Sequence, residues 1–326
     1  MRIRSVTAFA DVTYPLESDG LKEAGDLLGS VRRALGDAGF EVETIRLATQ
    51  PFPAALEDAG PARAVDLAKD LEAIGFVHEI DYIALGPVRL GDPVAHFAAM
   101  ADVFEATSNV FASVEIASRG QGVSLPRVRR AAELIRRVAS ISPDGFANLR
   151  LAALANTGPW SPFFPAAYHG GGALSVAIAT ESADLAVTAI TGSDSLAAAR
   201  DSLVRSIETD AARIEGAVKR AAGAAGATFR GVDFSLAPHP EQGRSVSAAL
   251  EALAAILVDV GALALRLDKP LTARLMPLPG KAAGDETDFE FEYFANSRVI
   301  APLQEPLRGL LAGDESIQLQ SLAGRE

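Results

Sequence analysis

Tyr168, His169 and three consecutive glycines, Gly170 to Gly172, close a stretch that opens at Asn156 after an apolar run and passes through a Pro- and aromatic-rich loop. Imidazole titrates closest to neutral pH, so His169 is the first choice for a group that moves protons. Glycines beside it would let backbone approach a small ligand closely. The other histidines stand in different contexts. His78 and His96 sit among apolar neighbours in helix or helix-end segments and read as structural or surface residues. His239 lies between Pro238 and Pro240, ahead of Glu241, Gly243, Arg244 and Ser245, where a long helix begins. The free amides of a helix start, with a glycine and an arginine there, suit a carboxylate or a phosphate.

Further candidates follow from the rule that ligands of parallel α/β folds sit at the carboxyl ends of the strands. Arg46 and Thr49 read as the end of a second strand. Glu115, Ser118 and Arg119 lie in or just after an apolar strand at 110–117, and Asn156 and Thr157 follow the next. Asp233 and Ser235 alternate along a later strand, and Lys281 follows another. Glu115 is flanked by Val114 and Ile116, and burial of an isolated charge costs several kcal/mol, so it needs a partner. An arginine such as Arg46 or Arg119 would serve; a general base or a metal ligand are the other readings. Asp233 could equally cap the turn before Pro238. The loop of Pro279, Gly280, Lys281, Gly284 and Asp285 carries glycines and a lysine, but lacks the Ser or Thr after Lys that a phosphate-cradling loop has. Arg127, Arg129, Arg130, Arg136 and Arg137 read as a solvated helix face.

Several chemistries are absent from the sequence. It holds no His-Glu-x-x-His pair, no serine nucleophile elbow and no dinucleotide glycine fingerprint. It also has no cysteine, so disulfides, thiolate metal sites and thiol nucleophiles are out of reach of this chain. The net charge of −12 opposes the phosphate attraction on which nucleic-acid and anionic-membrane binding depend, and neither partner is expected. Met1 to Ala10 reads as a strand rather than a leader, and the apolar helix near Leu253 to Leu267, broken by Asp259 and Arg266, is too short for a bilayer. A cytoplasmic location is the expectation.

The elements that must position these residues alternate. Strands are expected at Arg2 to Phe9, Phe40 to Leu47, Tyr82 to Leu85, Val110 to Ala117, Leu149 to Ala155, Ser175 to Ile178 and Gly226 to Leu236. Helices are expected at Leu21 to Leu35, Ala62 to Ile74, Asp92 to Thr107, after a Ser124 cap, and at Ser195 to Ala222; Pro51 to Gly60 reads as a loop. A further helix at Val246 to Leu267, a strand at Leu271 to Leu278 and an acidic-faced strand at Glu286 to Phe294 complete the chain. Strands separated repeatedly by helices predict an α/β fold with a largely parallel sheet, open or closed into a barrel, in a single domain over residues 1–326.

The chain resembles an uncharacterised family, the domain of unknown function numbered seven-eleven. The resemblance rests on Arg2 to Thr7; Thr44 to Leu47 with Pro51 and Phe52; Asn156 with Pro162, Phe163, Ala166, Tyr168, His169 and Gly170; Val232 to Pro238 with Glu241, Gly243, Arg244 and Ser245; and Leu267 to Ser297. It implies a fold similar to the ten-stranded α/β barrel of pyruvate formate-lyase. It implies radical chemistry only with a thiol, which this chain lacks. Family members also carry a long block with a Cys-Gly-Thr-Gly-Leu-Asp motif, where Ala248 to Leu257 here joins two helices directly, and they have Asn where this chain has Glu115. The expected function is an enzyme acting on a small anionic metabolite. His169, Glu115 and Asp233 would be the catalytic groups, and Arg46, Asn156, Tyr168, Gly170, His239, Arg244, Ser245, Lys281 and Asp285 the ligand contacts. Its cofactor is unknown, with a divalent metal among the options and a homo-oligomer among the expected assemblies. The alternative is a non-catalytic metabolite-binding or assembly protein on the same scaffold.

Overall fold

The computed structural model describes residues 1–56 and 59–235. The candidates His239, Arg244, Ser245, Lys281 and Asp285, and the elements expected beyond residue 236, lie outside the described residues. Contacts group the described chain into two compact units. One comprises Arg2–Thr180 with Ala211–Phe234, and the other holds Met1, Glu181–Asp210 and Ser235. In the second unit the amino group of Met1 pairs with Asp184 on a helix, Ala183–Thr191, a segment for which no element was expected.

The described chain is built on repeated strand and helix pairs. Strand β1 (Arg2–Ala10) leads through α1 (Ser18–Asp37) to β2 (Val42–Pro51). The chain then passes through the short α2 (Phe52–Leu56) and α3 (Ala64–Val77) to β3 (Tyr82–Val88), and through α4 (Ala95–Ala106) to β4 (Val110–Ser118). A two-residue β5 (Gly122–Val123) precedes α5 (Leu125–Ala139), which returns the chain to β6 (Leu151–Ala155). After a long loop come β7 (Ser175–Glu181), α6 (the Ala183–Thr191 helix), α7 (Leu196–Ala224) and β8 (Thr228–Ser235). The eight strands form one sheet in the order β5-β4-β3-β2-β1-β7-β8, with β6 also paired to β4. Pairs β1/β2, β2/β3, β3/β4 and β4/β6 are parallel, and only β4/β5 of the pairs with a defined register is antiparallel. The largely parallel α/β expectation therefore holds, as an open sheet among the described residues.

The physical reason lies in the patterning. β1 is buried along nearly its whole length, as a strand flanked on both edges and covered on both faces must be. Sequential parallel neighbours joined by right-handed crossovers put the connecting helices on one face of the sheet. There Leu27, Leu28, Val31 and Leu35 of α1, Leu67 and Leu71 of α3 and Phe104 of α4 are buried. The register sets the other face: Thr7, Arg46 and Tyr82 stand side by side, and Phe9, Ala48, Ala84 and Phe111 form the next row on that side. A compact apolar cluster of Phe9, Ala48 and Ala84 with Ala167 and Ala177 covers it, and Phe111, Trp160 and Phe164 pack against that cluster. The loop from 156 to 172 thus covers this face through Trp160, Phe164 and Ala167.

Four local expectations are corrected. β2 runs to Pro51 rather than ending at Leu47, because Ala48 and Thr49 remain hydrogen-bonded between two neighbours; Arg46 is therefore in mid-strand. The segment after Pro51 is helical over Phe52–Leu56, since one turn buries both Phe52 and Leu56. Ser124 stands at the N-cap of α5 but makes no side-chain cap; its carbonyl accepts the Val128 N–H. Arg127 also leaves the solvated face assigned to it. It is buried, donates to the carbonyl of Asp92 and lies over the ring of Phe97.

Candidate functional site

His169 is fixed at three points. Its main-chain N–H donates to the carbonyl of Thr49 at the end of β2 (2.8 Å), and its Nδ1 lies 2.7 Å from Oδ1 of Asp11, directly after β1. The imidazole is fully covered while the Asp11 side chain is half exposed, so the carboxylate faces solvent and the ring faces the interior. The third point is the loop itself, closed by the Trp160 N–H donating to the Tyr168 carbonyl and by the Tyr168 hydroxyl donating to the carbonyl of Thr157. His169 Nε2 is buried without a hydrogen-bond partner among the described residues. A buried polar atom left unpaired costs about 1–3 kcal/mol, so such an atom calls for an explanation.

Asp11 is positioned by Gln50. The Gln50 side-chain amide donates to the carbonyl of Val12 (2.6 Å) while its carbonyl oxygen accepts the Val12 N–H (2.9 Å), clamping the segment that carries Asp11 to β2. Thr49 ties in β3, accepting the Gly86 N–H at its hydroxyl (3.3 Å). Neither Asp11 nor Gln50 was picked out from the sequence. The strand-end rule, applied to the first strand as it was to the second, points to Asp11; the Gln50 clamp leaves no sequence signal.

Glu115 of β4 does have an arginine partner, but it is Arg89 at the end of β3 rather than Arg46 or Arg119. Its Oε2 accepts the Leu90 N–H at 3.0 Å and its Oε1 lies 3.8 Å from Arg89 Nε. Tyr168 feels both: burial raises its hydroxyl pKa above the usual phenol value, Arg89 pulls it down and Glu115 pushes it up. Asp11, His169, Tyr168, Glu115 and Arg89 are therefore brought to the carboxyl edge of β1 to β4. Asp233 on β8 is placed apart from these contacts. The Thr180 hydroxyl donates to its main-chain carbonyl, one carboxylate oxygen is buried and unpaired, and burial raises its pKa. Asn156 is exposed and left-handed (φ 57°), with its N–H on the carbonyl of Ala117. That conformation suits Asn at the abrupt strand end. Gly170 is required by packing: a Cβ there would stand 2.6 Å from the Trp160 ring and 2.8 Å from Pro159. Among the described residues no three His, Asp or Glu side chains gather as a metal site, and no helix is long and apolar enough to cross a membrane.

Arg46 does not join this edge. It donates from Nε to the Thr44 hydroxyl (2.9 Å), and its guanidinium carbon lies 5.5 Å from the Tyr82 ring centre and 5.2 Å from that of Phe164. Along β2 it is three residues before Thr49, about 10 Å at the usual strand rise.

The family profile described as Uncharacterised ACR (DUF711) matches residues 1–255 and 251–292. The chain belongs to this family. Its relatives include UPF0210 proteins of Pyrobaculum islandicum, 30% identical over 69% of this chain and 51% of that protein, and of Pyrobaculum arsenaticum, 29% identical over 77% and 60%. A UPF0210 protein of Sulfurisphaera tokodaii is 24% identical over 88% of this chain and 72% of its own length. The chain thus spans about half to three fifths of the first two. The profile matches in two ranges that meet at 251–255, within the helix expected at 246–267.

Proposed function

We propose that this protein is an acid–base enzyme acting on a small anionic metabolite at the carboxyl edge of the sheet. The observation that carries the reading is His169: one ring nitrogen is held by Asp11 and the other is buried with no partner among the described residues. A ring fixed in this way has a defined tautomer and one nitrogen reserved for a proton in transit. Arg89, half exposed and only loosely paired with Glu115, supplies a cation for an anionic group; Glu115 is the second carboxylate of the site and Tyr168 a protonated hydroxyl at neutral pH. The scaffold we infer is the first part of a pyruvate formate-lyase-like barrel, which sequential parallel strands with helices on one face would begin. Thiyl chemistry has no thiol here.

The test is a thermal-shift panel of short mono- and dicarboxylates and monophosphates, followed by proton NMR in D2O of any compound that stabilises the protein. Exchange or turnover is expected with the native chain. His169→Gln should lower it by about 10²–10⁴-fold, the usual worth of a positioned acid–base group, and Asp11→Asn by about 10²-fold or more. If a panel member binds but neither exchanges nor reacts, and His169→Gln binds it equally well, the acid–base reading is wrong. The rival, a shortened relative that binds a metabolite without transforming it, is favoured by the missing block, and that same outcome would support it.

A further inference from the structure

Toward the amino ends of β3 and β4, beside the short 3-10 helix Phe146–Arg150, lies a cleft of about 410 Å³ whose wall includes Arg4, Arg46, Arg150, Tyr82, Phe111 and Phe164. Its size falls in the range of small-molecule sites. None of the three arginines has a carboxylate within ion-pair distance among the described residues, in a protein of net charge −12. Arg150 is spent on structure: its two terminal nitrogens donate to the carbonyls of Thr107 (2.7 Å) and Phe104 (2.6 Å), so it contributes charge more than donors. Arg46 is different. Among the described residues only its Nε is bonded, and its guanidinium lies over the rings of Tyr82 and Phe164, which Phe111 packs against at ring-to-ring distances of 5.3 and 5.5 Å. Burial lowers its pKa to about 10, Asp81 and Glu43 offset part of that shift, and it stays charged at neutral pH. A preoriented fork of two free terminal nitrogens matches a carboxylate or phosphate edge. Around the opening Phe146 and Leu149 are exposed, at 65% and 58%, beside the half-exposed Tyr82 ring. Thr7, next to Arg46 in the register, keeps a buried hydroxyl without a partner among the described residues.

We propose that this cleft is a second binding site, separate from the His169 edge, for a flat aromatic molecule carrying an anionic group. The anion sits on the terminal nitrogens of Arg46, with Arg4 and Arg150 adding field, and the flat body lies against Tyr82 and Phe146. Carboxylate and phosphate share this chemistry, and the experiment separates them. The full chain is titrated calorimetrically with indole-3-acetate, with adenosine monophosphate, with cyclohexanecarboxylate and with sulfate. At least one aromatic anion binds at least 10-fold more tightly than cyclohexanecarboxylate and sulfate, and which one binds identifies the anionic group. Arg46→Met weakens that binding 10-fold or more while leaving a cooperative thermal transition, and Phe146→Ala, at an exposed position, weakens it several-fold. Asp11→Asn binds the aromatic anion as the native chain does, which separates this cleft from the His169 edge. Absence of binding by both aromatic anions overturns the proposal, as does binding unchanged in a folded Arg46→Met. If Arg46→Met does not fold, Phe146→Ala together with Arg4→Gln decides: unchanged affinity in both removes the site.

Discussion

Asp233 and Arg46 are both charged groups left without full compensation, and their pH responses have opposite sense. Burial raises the Asp233 pKa above its ordinary 3.8, so the folded state holds that proton more tightly than the unfolded chain. The stability linked to that proton is complete below about pH 4 and is lost as pH rises through the folded pKa. Asp233→Asn is therefore expected to be more stable than the native chain at pH 7, with the difference shrinking toward pH 4, as urea melts at the two pH values would show; an equal difference at both would refute the linkage. Arg46, whose pKa is depressed, penalises the fold wherever it is charged, below about pH 10, and the penalty fades toward its ordinary 12.5. Ring contacts offset part of it. Arg46→Met should accordingly gain about 1–3 kcal/mol in denaturant melts at neutral pH, the usual outcome when an uncompensated buried ion becomes an apolar side chain; a loss would mean that the ring cage is worth more than the charge costs.

At the level of elements, two glycines near β3 make contrasting predictions. At Gly86 an added Cβ would stand 2.2 Å from the carbonyl oxygen of Gln50, where the register of β2 and β3 shifts. Backbone cannot yield there, so Gly86→Ala should cost roughly 3 kcal/mol or more and loosen the Gln50 clamp on the Asp11 segment. Gly75, near the end of α3, meets only the tip of Ile83 (2.7 Å), a side chain that can turn away. Gly75→Ala should fall between a small loss and the gain of about 0.4–1 kcal/mol typical of a helical Gly→Ala. Thermal melts of both variants check the contrast. Element existence was legible in the sequence because short apolar runs alternate with helical stripes of period 3.6 from Arg2 to Ala155. Boundaries were less so: Pro51 looked like the end of a strand already over at Leu47, which placed Arg46 at a strand end it does not occupy. The His169 loop was readable from its residue types. Its supports were not, because Gln50 and Thr49 act through main-chain groups of distant segments that no local pattern announces.

For the molecule as a whole, the sheet order puts β1 between β2 and β7, and it is buried from Ser5 onward. Native-state hydrogen exchange should find the amides of Val6 to Phe9 among the slowest, and those of the exposed β5 among the fastest. Faster exchange in β1 than in β5 would contradict this layering. The Asp11 and His169 pairing joins positions 158 residues apart across that central strand, so it reports on the assembled sheet rather than on any local segment. Its supports, Val12, Thr49, Gln50, Gly86, Thr157, Trp160 and Tyr168, all precede residue 171. The break in the family match falls some eighty residues later, at 251–255. Every described group that holds the imidazole thus falls within the first matched range, 1–255, and none depends on the second, 251–292.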